Sequence, residues 1–131
     1  MANINELQRI STQVRRDIIR MVTNAKSGHP GGSMSSADFI TALYFDVMKH
    51  DPATWTRQGK GQDVFVLSAG HLTPMYYSIL SRAGYFPTSE LSTFRLLGTR
   101  LQGHPCIETG LTGIVQASGS LGQGLSAAAG I

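Results

Sequence analysis

Asp63-Val64-Phe65-Val66-Leu67-Ser68-Ala69-Gly70-His71 holds the densest structural signal in the chain. Its first six residues form a short apolar run with β-branched and aromatic side chains. Such a run predicts a strand buried on both faces, as in a parallel sheet. Ala69-Gly70-His71 then turns the chain into a helix predicted at about 72–83, with Pro74 in its first turn and Gly84 as its stop. Strand, glycine-containing turn and helix N-terminus, in that order, place ligands at the carboxyl edge of an α/β sheet. The expected fold class is α/β, with helices packed around a mostly parallel sheet.

Working outward, Ile4, Leu7, Ile10, Val14, Ile18, Met21, Val22 and Ala25 recur at steps of three and four, which predicts an amphipathic helix over residues 4–26. Asn3 is its expected N-cap, and Glu6 stands in the capping-box position. Arg9, Arg15, Arg16 and Arg20 fall largely off the stripe, on a solvated face. Ser27-Gly28-His29-Pro30-Gly31-Gly32-Ser33 is expected to break the helix completely. Ser35 or Ser36 should then cap a second helix over roughly 37–48, with Phe39, Ile40, Leu43, Tyr44, Val47 and Met48 facing inward.

Past the central run, a shorter helix near 89–96 starts at Thr88, and a glycine-rich loop covers 98–113. Ile114-Val115-Gln116 reads as a second, weak strand. Ala117-Ser118-Gly119-Ser120-Leu121-Gly122-Gln123-Gly124 introduces a final helix of small residues that begins near Leu121. Ile131 falls inside that helix, so the chain is expected to be the beginning of a longer, truncated domain.

A length of 131 residues accommodates one small core and no second domain. The net charge of +3 is scattered over isolated Lys and Arg, with only Arg15 and Arg16 adjacent, so no basic stripe offers a nucleic-acid interface. A single cysteine, Cys106, rules out an internal disulfide framework and fits a reducing compartment. No apolar run reaches the length of a membrane span, and a cytoplasmic location is expected.

Chemistry concentrates in loops. Three of the four histidines follow glycine directly, as Gly28-His29-Pro30, Gly70-His71-Leu72 and Gly103-His104-Pro105, whereas His50 sits at a helix end before Asp51-Pro52. Glycine removes bulk beside the imidazole, and proline restricts the backbone after it. Imidazole donates, accepts and carries charge near neutral pH, so three of them converging suit a hydroxylated or phosphorylated substrate whose protons must move. A zinc site built from the same three is the competing reading, but no pair has the short spacing usual for that metal. The 119–124 loop is neither a Walker sequence nor a dinucleotide fingerprint. Its glycines allow either tight helix packing or close approach of main-chain NH and CO groups to a ligand.

Ser27-Gly-His-Pro-Gly-Gly32, Asp63-Val-Phe-Val-Leu-Ser-Ala-Gly-His71, Gly103-His-Pro105 and Ser118-Gly-Ser-Leu-Gly-Gln-Gly124 resemble, in order and over almost the whole chain, the successive motifs of the transketolase family. The wording is closest to the N-terminal subunit of split transketolases. The resemblance implies the beginning of a pyrophosphate-binding domain, here residues 1–131, that holds thiamine diphosphate against a pyrimidine-binding C-terminal domain or subunit. It implies transfer of a two-carbon ketol unit from a ketose phosphate to an aldose phosphate, in the pentose phosphate pathway. The assembly would be a homodimer, or a heterotetramer of split subunits. It further implies that His71 approaches the diphosphate and the substrate, that His104 hydrogen-bonds the donor's reacting region, and that His29 assists proton transfer at the sugar hydroxyls. Gly119, Ser120 and Leu121 would contact the aminopyrimidine end of the cofactor.

Two positions depart from the family pattern: Ser120 stands where many members have proline, and Cys106 follows Gly-His-Pro where an acidic residue is common. The family's Gly-Asp-Gly…Asn segment, which carries the Mg2+ or Ca2+ ligands, is expected beyond Ile131, so no metal ligand is named here and the chain alone is expected to be inactive. The rival readings are a 1-deoxyxylulose-5-phosphate synthase, a phosphoketolase, or a noncatalytic assembly module of the same fold. The Ser27-Gly-His-Pro pair argues against the synthase, and retention of all three loop histidines argues against the module.

Overall fold

The computed structural model describes residues 3–131. Among them lie four α-helices, α1 (Ile4–Ala25), α2 (Pro30–Ala42), α3 (Thr73–Arg82) and α4 (Gln123–Gly130), with short 3-10 turns at Gly70–Leu72, Thr88–Thr93 and Ile107–Thr109. The α1 helix starts as expected, with the Asn3 side chain accepting a hydrogen bond from the Asn5 amide at 3.0 Å. Glu6 does not complete a capping box, because its carboxylate is taken by Arg9 at 2.6 Å. The buried stripe is also narrower than the apolar periodicity implies. It consists of Ser11, Val14, Asp17, Ile18 and Met21, while Ile4 is exposed. Arg15 leaves the solvated face and grips Asp38 of α2 through both terminal nitrogens, at 2.8 and 2.7 Å. That guanidinium, helped by the Ser11 hydroxyl, lowers the Asp38 pKa to about 2.

The break between α1 and α2 is shorter than the glycines suggest. Lys26 adopts a left-handed conformation with φ 49°, the Ser27 amide closes back on the Val22 carbonyl at 3.3 Å, and Gly28 has φ 138°. The chain is helical again from Pro30, not from residue 37. Proline at the first helical position has its φ preset and no amide to leave unpaired. Gly31, Gly32 and Ser33 therefore lie inside the helix. A Cβ on Gly32 would come within 2.5 Å of Leu72 Cδ2, so this glycine lets α2 and the start of α3 approach closely.

At its C-terminal end α2 widens into a π-type turn over Leu43–Val47, closed by the Met48 amide on the Leu43 carbonyl at 2.8 Å. The extra residue shifts the helical phase. Ile40 and Tyr44 stay buried as expected, but Phe39 and Val47 face outward.

The core is organised by α3. Every residue from 73 to 81 is buried, including Met75, Tyr76, Tyr77, Ile79 and Leu80. It packs against α1 and α2 on one side and against the loop after it on the other. Its polar tips satisfy that loop's main chain: Thr73 Oγ1 donates to the Gly103 carbonyl, Tyr77 to Gln102 and Tyr76 to Gly113, each at 2.9 Å. Gly84, with φ 95°, ends the helix where expected.

The expected strands are not found among the described residues. Residues 63–67 run without regular structure, with Leu67 buried, and neither they nor 114–116 pair in a ladder. A strand is defined by its neighbour, and a single run of suitable side chains supplies only half of a pair. Among the described residues the regular elements are helical, and no sheet is formed at the centre. The helix expected at 89–96 is a 3-10 segment, Thr88–Thr93, and the last helix starts at Gln123 rather than Leu121.

Candidate functional site

The three glycine-linked histidines arrive from three elements. His29 is the N-cap of α2, held in a non-helical conformation by the proline after it. His71 lies in the 3-10 turn that opens α3. His104 sits on the loop whose main chain is pinned by Thr73 and Tyr77. The structure brings His29 and His71 together edge to face, with ring centroids 5.2 Å apart and an interplanar angle of 76°. His104 belongs to the same group. Its pKa is lowered first by loss of solvent around the ring, then by the charge of Arg95 and by His29 and His71. A histidine shifted that way is neutral at pH 7, able to accept through one nitrogen while donating through the other.

The 117–124 loop is laid across the same edge. A Cβ on Gly70 would strike the Ser118 carbonyl at 2.5 Å, and one on Gly124 would meet Ser68 Cα at 2.6 Å, so both glycines allow backbone to touch backbone. The Gly122 amide donates to Ser68 Oγ at 3.2 Å, and the Ser118 amide to the Pro105 carbonyl at 3.3 Å. Gly119 faces His104, whose Cδ2 lies 3.9 Å from its missing Cβ; around Gly122 there is open space. Ser120 and Leu121 are exposed beside them.

His50 is elsewhere. Its ring contacts the Tyr44 carbonyl at 2.8 Å and the Tyr85 hydroxyl at 3.1 Å, a local structural role like the helix-end one expected from its position.

Three further participants flank the imidazoles: Ser68 and Ser118 lie inside the family-like motifs but carry no expected role, and Arg95 lies outside them. Ser68 receives the Gly122 amide, and Ser118 buries its hydroxyl with no hydrogen-bond partner among the described residues. Arg95 has φ 59° without being glycine, and its guanidinium lies against Gly103. A serine inside an apolar run and an arginine inside Thr-Phe-Arg-Leu give no warning of such roles.

A cavity of about 440 Å3 lies away from the imidazoles, between α1, the end of α3 and residues 88–92. In it Asp17 is paired with Ser78 and Arg82, and Asn24 donates to the Ser92 carbonyl. The open imidazole edge has the reactive groups, and the cavity does not. Among the described residues, no group of three His, Cys, Asp or Glu side chains is arranged to hold a metal ion, and no helix is long and apolar enough to cross a membrane.

Against known families, residues 7–131 match the transketolase, thiamine diphosphate binding domain. A transketolase of Buchnera aphidicola is 41% identical over 126 residues, covering 93% of this chain and 18% of that protein. The 6-deoxy-6-sulfo-D-fructose transketolase subunit SqwG of Clostridium is 40% identical, covering 95% of this chain and 46% of that one. The crystal structure of transketolase from Campylobacter jejuni superposes with a TM-score of 0.87 at 36% identity, over 98% of this chain and 20% of that one. The chain spans about a fifth of the length of the first transketolases it matches. With that family match extending over nearly all of its residues, the chain belongs to the transketolase family, as part of its thiamine diphosphate-binding domain.

Proposed function

We propose that this chain supplies the sugar-facing imidazoles and a cofactor-contact loop of a thiamine diphosphate-dependent transketolase, which moves a two-carbon ketol unit from a ketose phosphate to an aldose phosphate. The observation that carries the reading is the convergence of His29, His71 and His104 on one open edge, with His29 and His71 at 5.2 Å and His104 sensing both. The names of the matched relatives favour ketol transfer over the synthase and phosphoketolase alternatives.

The residues present fit the organic cofactor. Main chain at Gly119 and Gly122 is uncovered, and the buried Ser118 hydroxyl has a hydrogen-bonding capacity that no described residue uses. Gly119, Ser120 and Leu121 would hold the aminopyrimidine end, and His71 would lie toward the diphosphate. When bound, thiamine diphosphate supplies the nucleophilic carbon and the electron sink. The chain's own contribution is orientation and proton handling. His104, kept neutral, donates to a carbonyl oxygen or accepts from an adjacent hydroxyl of the donor sugar. His29 holds or passes the proton of a neighbouring hydroxyl, and the edge-to-face contact with His71 sets the direction in which its ring points.

The described residues do not fit a divalent ion, and no step is assigned to one; Mg2+ or Ca2+ would take its ligands from sequence outside these residues. In the assembled domain, residues 63–67 would join a mostly parallel sheet. A pyrimidine-binding domain or subunit, in a homodimer or a heterotetramer, would cover Leu121 and Leu125, which are 66% and 76% exposed.

The test is an assay of the holoenzyme that contains these residues together with the metal-binding segment and the pyrimidine-binding domain or subunit, following consumption of xylulose 5-phosphate with an aldose phosphate acceptor. Replacing His29 or His104 with alanine should lower kcat by roughly 10²–10⁴. Formation of deoxyxylulose phosphate from pyruvate, or full activity in both variants, overturns the reading.

A further inference from the structure

One further charged side chain, that of Arg95, lies beside the imidazoles. Arg95 follows Phe94 and precedes the exposed Leu96-Leu97 corner, and its backbone sits at φ 59°, a left-handed conformation unfavourable for a non-glycine residue. That geometry is held by its amide, which donates to the Leu101 carbonyl at 2.9 Å. It sends the side chain back over the Phe94 ring, with the guanidinium carbon 5.6 Å from the centroid. From there one terminal nitrogen donates to Ser27 Oγ at 2.7 Å. The guanidinium plane lies directly on Gly103: a Cβ there would be 2.8 Å from Cζ, Nε and the other terminal nitrogen.

Ser27 is two residues before His29, and Gly103 is one residue before His104. No main-chain hydrogen bond outside the helices joins the 27–30 loop to the 103–105 loop among the described residues. The Arg95 side chain spans that gap. No carboxylate within ion-pair distance neutralises it among the described residues, and its Nε is buried without a hydrogen-bond partner. A guanidinium is a rigid planar fork, so it can clamp two loops at a set separation where an ammonium cannot.

We propose that Arg95 is a positioning residue: it straps the His29 loop to the His104 loop and sets the spacing of the two imidazoles across the substrate face. The proposal rests on the reading that these imidazoles serve ketol transfer, and the clamp itself is testable without that reading. The uncompensated charge gives Arg95 a second effect, since it favours the neutral form of His104. The charged or titratable groups that act on that ring are Arg95, His29 and His71.

Three variants separate the roles. Arg95→Met removes both fork and charge; Arg95→Lys keeps the charge and loses the fork; Gly103→Ala leaves Arg95 in the sequence but places a methyl group where its guanidinium rests. NMR titration of the histidine rings in the chain is the readout that needs no activity. Arg95→Met should raise the His104 pKa, and Arg95→Lys should leave it lowered. In both Arg95 variants the amide chemical shifts of the 27–30 and 103–105 loops should change together, because the side chain that touches Ser27 and Gly103 is altered. In the assembled enzyme, all three variants should lose about a hundredfold in kcat with a smaller change in KM, as expected for misplacement on the scale of 1 Å. Arg95→Lys losing activity while His104 keeps its titration identifies the fork, not the charge, as the working part.

An unchanged His104 titration and unchanged loop amide shifts in Arg95→Met overturn the clamp. Should that variant fail to fold, Ser27→Ala, which deletes only the acceptor, must disturb the His29 loop or the proposal fails. If the clamp is confirmed by NMR while His29→Ala and His104→Ala retain activity, the proposed function is at fault and the strap stands as a structural device.

Discussion

Replacing Asp17 with asparagine removes one charge from the most enclosed ion pair in the chain, and the cost can be worked out from its partners. The Asp17 side chain is 6% exposed; it accepts from Arg82 Nε at 2.7 Å, from an Arg82 terminal nitrogen at 2.6 Å and from Ser78 Oγ at 2.8 Å. Arg20 reaches it only at 3.5 Å and is itself mostly exposed, so it contributes little. Breaking a buried pair from one side costs roughly 3–5 kcal/mol, because the abandoned partner stays out of water. Here Arg82 is 25% exposed and can recover some hydration, which moves the expectation to the low end, about 3 kcal/mol. With a urea m-value of roughly 1.5–2 kcal/mol per molar, the unfolding midpoint should fall by about 1.5–2 M, read by far-UV circular dichroism.

Asp17 joins α1 to α3 across the core, so the loss is one of global stability. A double-mutant cycle with Arg82→Met should return most of it as coupling energy, since methionine does not leave a stranded charge. A midpoint shift below about 0.3 M, or coupling near zero, refutes the reasoning.

Burial raises the pKa of Tyr44, Tyr76 and Tyr77 above the ordinary tyrosine value, and burial together with the Asp51 charge pushes Tyr85 up to about 12. A raised native pKa means that the unfolded chain releases these protons first, so stability is intact below pH of about 10 and falls as pH climbs through the native values. Phenolate absorbance should therefore rise together with loss of helix, and ionisation of all the tyrosines near pH 10 with the helices intact would contradict the burial. Gly70→Ala would drive its methyl group into the Ser118 carbonyl, 2.5 Å away, and should cost about 1–3 kcal/mol while displacing the 117–124 loop. Amide chemical shifts in that loop report the displacement, and a variant with wild-type shifts and stability would show that the contact is not tight.

Much of the local architecture is legible in the sequence because it depends on neighbours along the chain. The periodicity of α1, the Asn3 cap and the Gly84 stop are all set within a few residues. The start of α2 departs from its expected place for the opposite reason. Glycines at 31 and 32 are poor helix formers in isolation, but Leu72 needs the space that Gly32 leaves empty. Val47 faces outward because one π-type turn over Leu43–Val47 resets a phase that the hydrophobic pattern assumes constant, and Phe39 faces outward because α2 buries Ser33, Ala37, Ile40 and Thr41 instead. The 63–67 run has a strand's composition, yet pairing is a property of two segments and no count over one can supply the second.

At the candidate site, the shared Gly-His setting marked three residues that the fold does bring to one edge. It could not show Arg95, Ser68 or Ser118, whose places depend on contacts between residues far apart in sequence.

The burial of α3 on every side has a further consequence for how the site holds together in time. Nine consecutive buried residues leave that helix no route to local opening, so its amides should exchange with solvent only when the whole chain unfolds. At the other extreme, α4 buries only Gly124 and can fray on its own. His71 and, through Thr73 and Tyr77, the His104 loop are thus anchored to the slowest-exchanging part of the molecule, while Gly119 and Leu121 lead into the fastest. The imidazole half of the edge is preorganised, and the loop half is the part left to be ordered by whatever docks against it.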